Sequence, residues 1–217
     1  MLAIERKLMV IKNELPKTGL VLNLGSAGGN NYQFFPTNPD LKVISLDLDY
    51  RPQGLFIQGD ALCLPFKAGL FDYAVVLDVL EHIPDDHSAI KEISRVLKEN
   101  GKLYITTPCS EFDFKMVKLP TKRSSETIFK EWGHVRVGYS INEMNQLVTG
   151  DFQILKMERF GATWACIGYQ MYYYWRWYRF WKFSPIRWFM RFFIYMDKLY
   201  CKGKGTMFFV LAEKKAL

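Results

Sequence analysis

The run Val21-Leu22-Asn23-Leu24-Gly25-Ser26-Ala27-Gly28-Gly29, with Asp47 eighteen residues beyond Gly29, constrains this chain more than any other stretch. An apolar strand empties into a glycine-rich turn. A second apolar strand, Val43-Ile44-Ser45-Leu46, then delivers a carboxylate. Glycines let the backbone come close to a ligand, and an acid at the next strand end can accept hydrogen bonds from two ribose hydroxyls. The glycines alone would read equally well as a flexible turn. With Asp47 in register they define a nucleoside site.

Two phosphate-binding patterns are excluded. No Gly-Lys-Ser/Thr follows the glycines, so a P-loop is absent. The dinucleotide pattern fails because Ala27 and Asn30 occupy its second and third glycine positions. Pro36 and Pro39 limit any following helix to one or two turns. The expected ligand therefore carries ribose but no pyrophosphate.

Further blocks extend the pattern. Gly59-Asp60-Ala61 and Leu64-Pro65-Phe66 precede Phe71 to Asp78, a nearly continuous apolar strand of the kind buried on both faces in parallel sheets. After Leu80-Glu81-His82-Ile83-Pro84, apolar residues Ile90, Ile93, Val96 and Leu97 recur at helical spacing. They predict a helix from about Ser88 to Lys98, stopped by Gly101. Lys102 to Pro108 reads as a strand, Ile141 to about Val148 as a capped helix, and Phe152–Phe160 and Thr206–Glu213 as two more strands.

Over about residues 15 to 110, these ordered motifs resemble the class I S-adenosylmethionine-dependent methyltransferases, in particular the type 11 family. The resemblance implies an α/β fold, a doubly wound, mostly parallel seven-stranded sheet of Rossmann-like kind. S-adenosylmethionine would lie across the strands' carboxyl ends. The implied cofactor-binding set is Asn23, Gly25, Ser26, Ala27, Gly29, Asp47, Leu48, Asp60, Ala61, Leu77 and Asp78. In it the glycine loop approaches the methionine part and Asp47 holds the ribose. Asp60 and Ala61 reach the adenine edge, and Leu77 and Asp78 floor the pocket. Two positions depart from the family: Asn23 stands where an acid is usual, and Ala27 where a second glycine is. Asn23 brings no charge to offset the ligand's cations, so weaker cofactor affinity is expected.

At 217 residues the chain is expected to form a single domain over residues 1–217. Residues 1 to 15 read as an opening helix without a signal peptide. Cys63, Cys109, Cys166 and Cys201 show no paired spacing and read as free thiols. With only three histidines and no His/Cys cluster in sequence, no metal site is expected.

The net charge of +7 is local. Residues 164 to 204 contain eight bases and one acid, whereas the remainder contains 21 of each. The same stretch holds 17 of the chain's 35 aromatic residues. It is an insertion of about forty residues between the last two strands, split at Pro185 into two expected helices. At 100° per residue, Arg187, Arg191 and Lys198 fall within about 40° of one another, opposite Phe189, Phe192, Phe193 and Met196. Such a basic, aromatic, amphipathic helix suits an anionic membrane surface. Its longest uncharged stretch, Phe160 to Trp175, is 16 residues, short of the roughly 20 needed to span a bilayer. A lid, a homodimer interface and a nucleic-acid surface are the competing readings, and nucleic acid is the weakest because no recognition motif accompanies the bases.

For catalysis, His82 and His134 are the candidate bases that could take a proton from an acceptor hydroxyl. Asp78 and Glu81 are further candidates, with Glu81 equally readable as a solvent-facing helical residue. A loop-fixing histidine is the competing interpretation of either ring. The expected function is O-methylation of an amphiphilic or lipid-linked acceptor by a cytoplasmic protein bound peripherally at the inner face of a membrane. The alternative is a non-catalytic binding protein on the same fold.

Overall fold

The computed structural model describes residues 11, 13–26, 34–50, 54–111, 130, 133–161, 192 and 205–216. Seven strands form one sheet: β1 (Gly19–Leu24), β2 (Leu41–Asp47), β3 (Leu55–Gln58), β4 (Phe71–Leu77), β5 (Leu97–Pro108), β6 (Phe152–Phe160) and β7 (Met207–Lys214). Their order is β3-β2-β1-β4-β5-β7-β6, with β7 antiparallel to both neighbours and the first five strands mutually parallel. The strand order reverses between β1 and β4, which leaves a crevice at the carboxyl ends where ligands bind in open sheets of this type.

Strict alternation along apolar strands builds two cores, one on each face. Leu22, Leu24, Ala74, Val76, Leu103, Ile105, Phe208 and Val210 point to one side. There they meet Ile90 and Ile93 of helix α1 (Asp86–Val96) and Met144, Leu147 and Val148 of helix α2 (Ile141–Thr149). Val21, Val75, Leu77, Tyr104 and Phe209 point to the other, with Ile11, Leu15, Phe34 and Phe35. Burial on both faces is why these strands lack polar residues at every second position.

Helix α1 starts two residues before the expected Ser88, because Asp85 caps it by accepting from the Ser88 N–H. It also ends earlier than expected. Leu97 already pairs with Phe71, and the ladder resumes at Lys102 opposite Tyr73 across an irregularity in which Asn100 has φ +59°. Gly101 serves that irregularity rather than stopping the helix: a Cβ there would lie 2.8 Å from the Lys98 carbonyl. Helix α2 begins with the expected cap, a reciprocal Ser140–Glu143 capping box.

Two sequence motifs prove to be struts. Asp72 accepts the Leu20 N–H at 2.8 Å and pairs with Lys98 at 2.6 Å, joining β4 to the start of β1. Arg95 of α1 donates to the carbonyls of Leu64 and Phe66 and pairs with Glu92, whose other oxygen accepts the Leu64 N–H. That clasp holds the Leu64-Pro65-Phe66 loop, and with it Asp60 and Ala61, against the helix.

The aromatic-basic insertion at about 164–204 lies outside the described residues except for Phe192, which is exposed. Ala27, Gly28, Gly29, Cys166, Cys201 and the expected opening helix up to residue 10 lie outside them too. The insertion's base is defined. Phe160 pairs with Met207, Thr206 donates to the Gly161 carbonyl through both N–H and Oγ1, and a Cβ on Gly205 would lie 2.3 Å from the Phe160 nitrogen. Since β6 runs parallel to β5, the insertion leaves and re-enters at the carboxyl edge.

Candidate functional site

Of the residues expected to hold the cofactor, Asn23, Gly25, Ser26, Asp47, Leu48, Asp60 and Ala61 gather where β1, β2 and β3 end. The Gly25 N–H donates to the Leu46 carbonyl, and the Gly59 N–H to the Asp47 carbonyl at 3.0 Å, so the glycine turn, Asp47 and Gly59–Asp60 lie side by side. Gly25 is required: its φ is +66°, and a Cβ would stand 2.2 Å from Val79 Cγ2. Asp47 is partly exposed, with Oδ1 accepting the Asp49 N–H. Leu48 beside it is 67% exposed, a large apolar side chain open at the crevice. Asp60 closes a tight turn by accepting the Leu62 N–H, with Ala61 buried behind it.

Asn23 is fully buried and donates to Ser45 Oγ at 3.1 Å, while its Oδ1 has no hydrogen-bond partner among the described residues. Ser26 Oγ is likewise buried and unpartnered. Buried polar atoms of this kind are costly, about 1–3 kcal/mol each, unless something pairs with them. Their place beside Gly25 fits a ligand rich in polar groups, as the methionine end of S-adenosylmethionine is.

At the end of β4 the chain turns sharply. Asp78 has φ +55°, a conformation costly for a residue with a side chain and frequent at functional sites. Its N–H donates to the Thr106 carbonyl, and its Oδ1 accepts from Thr106 Oγ1 at 2.7 Å. Leu77, expected in the pocket floor, is buried in the second core. A 3-10 turn, Leu80–His82, follows.

Onto that turn folds the segment Gly133–Tyr139, fifty residues later in sequence. The Arg136 guanidinium donates to the carbonyls of Ile83 (3.0 Å) and Pro84 (2.9 Å), to Asp86 and to the Tyr139 hydroxyl. The Tyr139 hydroxyl lies 2.8 Å from Asp86 Oδ2, and burial, then Asp86, push its pKa up. The Val135 N–H donates to the Glu81 carbonyl at 3.0 Å. This clamp sets His134 edge-on to His82, ring centroids 4.6 Å apart. Burial, and then the His82 ring, hold His134 below the ordinary imidazole range, against the nearby Asp78 carboxylate.

Two sequence expectations change here. Glu81 does not face solvent: it is 1% exposed and accepts from Thr107 Oγ1 at 3.0 Å. The sequence offered no metal-ligand cluster, yet folding brings Glu81, His82 and His134 together. Sequence spacing could not show this, because the meeting depends on the clamp that Arg136 and Tyr139 make with Asp86 and the turn after β4. Cys63 and Cys109 are free thiols as expected.

Such a sheet, with Gly25 and an acid at adjacent carboxyl ends, has the Rossmann-like architecture. The family described as a methyltransferase domain matches residues 22–105. A tRNA (carboxymethyluridine(34)-5-O)-methyltransferase of Xenopus tropicalis is 30% identical over 52% of this chain, but only 19% of its own length. A demethylmenaquinone methyltransferase of Lactococcus lactis is 44% identical over 22% of this chain, again 19% of its own length. The chain thus spans about a fifth of either relative. A solved S-adenosylmethionine-dependent methyltransferase from Methanosarcina mazei superposes with a TM-score of 0.58 at 18% identity, covering 96% of this chain and 98% of that one. Residues 22–105 thus match the methyltransferase-domain family within a sheet of the class I fold, and S-adenosylmethionine is the cofactor that this likeness implies.

Proposed function

We propose that the protein is a methyltransferase that O-methylates an amphiphilic or lipid-linked acceptor while bound peripherally to an anionic membrane surface, on the cytoplasmic face. The cofactor, when bound, supplies an electrophilic methyl group on sulfur. Gly25, Ser26 and Asn23 would hold its methionine end, Asp47 and Leu48 the ribose side, and Asp60 and Ala61 the adenine. Methyl transfer is a direct displacement, so the chain's work is to align the reactants, exclude water and activate the acceptor hydroxyl. The His82–His134 pair at the end of β4 is assigned that activating role.

One observation carries the acceptor assignment: the aromatic-basic segment holds the chain's entire charge excess, and its two flanks close at the carboxyl edge, with Phe208 opposite Thr107. Apolar Val135 and Val137 stand exposed beside the clamped histidine, which suits a greasy acceptor. The demethylmenaquinone relative acts on a molecule of that chemical kind. No helix among the described residues is long and apolar enough to cross a membrane, compatible with surface binding.

Incubation with a methyl-labelled donor and, separately, a lipid extract, an RNA pool and protein tests the reading. Label is expected in the lipid fraction, and the protein should co-sediment with acidic liposomes. Label in RNA alone would replace this acceptor with the kind named for the Xenopus relative. No label in any pool, with intact membrane binding, would leave the non-catalytic alternative.

A further inference from the structure

Glu81, His82 and His134 each present one ligating atom, and all three atoms lie within 4.8 Å of one another. We infer that these side chains hold a single first-row divalent cation of the zinc or cobalt(II) type.

The surroundings are those of a supported ligand set. His82 Nδ1 lies 3.1 Å from the Gly133 carbonyl. A carbonyl can only accept, so Nδ1 carries the proton and Nε2 keeps its lone pair for a metal. Glu81 Oε2 accepts from Thr107 Oγ1, which fixes the carboxylate. Partners of this kind orient ligands in metal sites and are worth about 10–100-fold in affinity. The Val135 N–H to Glu81 carbonyl bond ties together the two segments that carry the ligands.

Two imidazoles and a carboxylate favour borderline cations over magnesium or calcium, which prefer all-oxygen sites. Three protein ligands also leave a position open, as in catalytic rather than structural zinc sites. Metal–ligand bonds of about 2.0–2.2 Å put tetrahedral donor atoms about 3.4 Å apart, so the trio must close by on the order of 1 Å. Exposed His82 is the side chain with room to move. Cation binding stands on these residues alone; its catalytic role rests on the methyltransferase reading. There the open position takes the acceptor hydroxyl and lowers its pKa, the O–H bond breaks, and the proton leaves to solvent.

The test uses tag-free protein, stripped with a chelator and desalted, then titrated with Co2+ and Zn2+ by calorimetry and visible absorption. S-adenosylhomocysteine is titrated in parallel. One equivalent of Co2+ with visible bands, displaced by Zn2+, is expected. His82→Ala, His134→Ala and His134→Gln should each weaken binding at least 10-fold, and Thr107→Val about 10-fold. His87→Ala, on an exposed residue of α1, should leave it unchanged. Thermal melts confirm that each variant is folded. No uptake at millimolar cation, or equal uptake after both His82 and His134 are replaced, overturns the site. Full turnover in excess chelator overturns its catalytic role. Cation binding without any S-adenosylhomocysteine binding upholds the site while the methyltransferase reading falls.

Discussion

The two ends of the crevice are built differently. On the β1–β3 side, the residues proposed to hold the cofactor lie within a few positions of strand ends, and single backbone bonds such as Gly59 N–H to Asp47 carbonyl set them side by side. On the β4–β5 side, His82 and His134 are brought together because Arg136, Tyr139 and Asp86, with the Val135 N–H, lock a distant segment onto the turn after β4. The first half is local chain geometry. The second is a long-range docking event, and it should be separable from the first by mutation.

The sharpest break is Gly25→Val. The positive φ and the 2.2 Å approach to Val79 leave no room for a side chain, so S-adenosylhomocysteine affinity should fall more than 100-fold. Stability should drop by about 1–3 kcal/mol. Calorimetry and thermal melting read both; Gly25→Val binding within threefold of wild type would refute the placement. Next is Arg136→Ala. It strands the Asp86 carboxylate and should cost about 3 kcal/mol of stability. Turnover should fall more than 10-fold while S-adenosylhomocysteine affinity stays within about threefold. Parallel loss of both would show that the two halves are coupled.

Much of the first half was legible in sequence because its signals are short. Strand alternation, the glycine turn and an acid at the next strand end all sit within a few residues of their structural partners. The capping box at Ser140 and Glu143 was equally visible. What sequence hid is what depends on distance. Glu81 could be read either as a candidate base or as a solvent-facing helical residue, yet it is buried with Thr107 Oγ1 donating to it. Leu97 fitted the helical period, yet pairing with Phe71 took it into β5, since tertiary pairing outweighs local periodicity.

Smaller effects refine the contrast. Asp47→Ala should weaken S-adenosylhomocysteine about 10–100-fold, as expected for lost bonds to a charged group. Turnover at saturating donor should change by less than threefold; a binding curve unchanged by the substitution would move the ribose site elsewhere. Smallest is a pH effect. The bond from Arg95 holds the Glu92 carboxyl below its ordinary value of 4.5. A depressed carboxyl stabilises the fold fully above its unfolded pKa, and that contribution disappears as pH falls through the folded one. Thermal melts of wild type and Glu92→Gln should therefore converge as pH drops below about 4.5. A gap that persists at pH 3 would assign the clasp a non-ionic role.

The closure between Phe160 and Met207 has a consequence for ancestry. Because the hem of the sheet is stitched shut at Gly161 and Thr206, the forty-odd residues strung between them can be lengthened, shortened or exchanged without unpicking a single rung of the ladder. A lineage could therefore vary that stretch while inheriting the ladder intact.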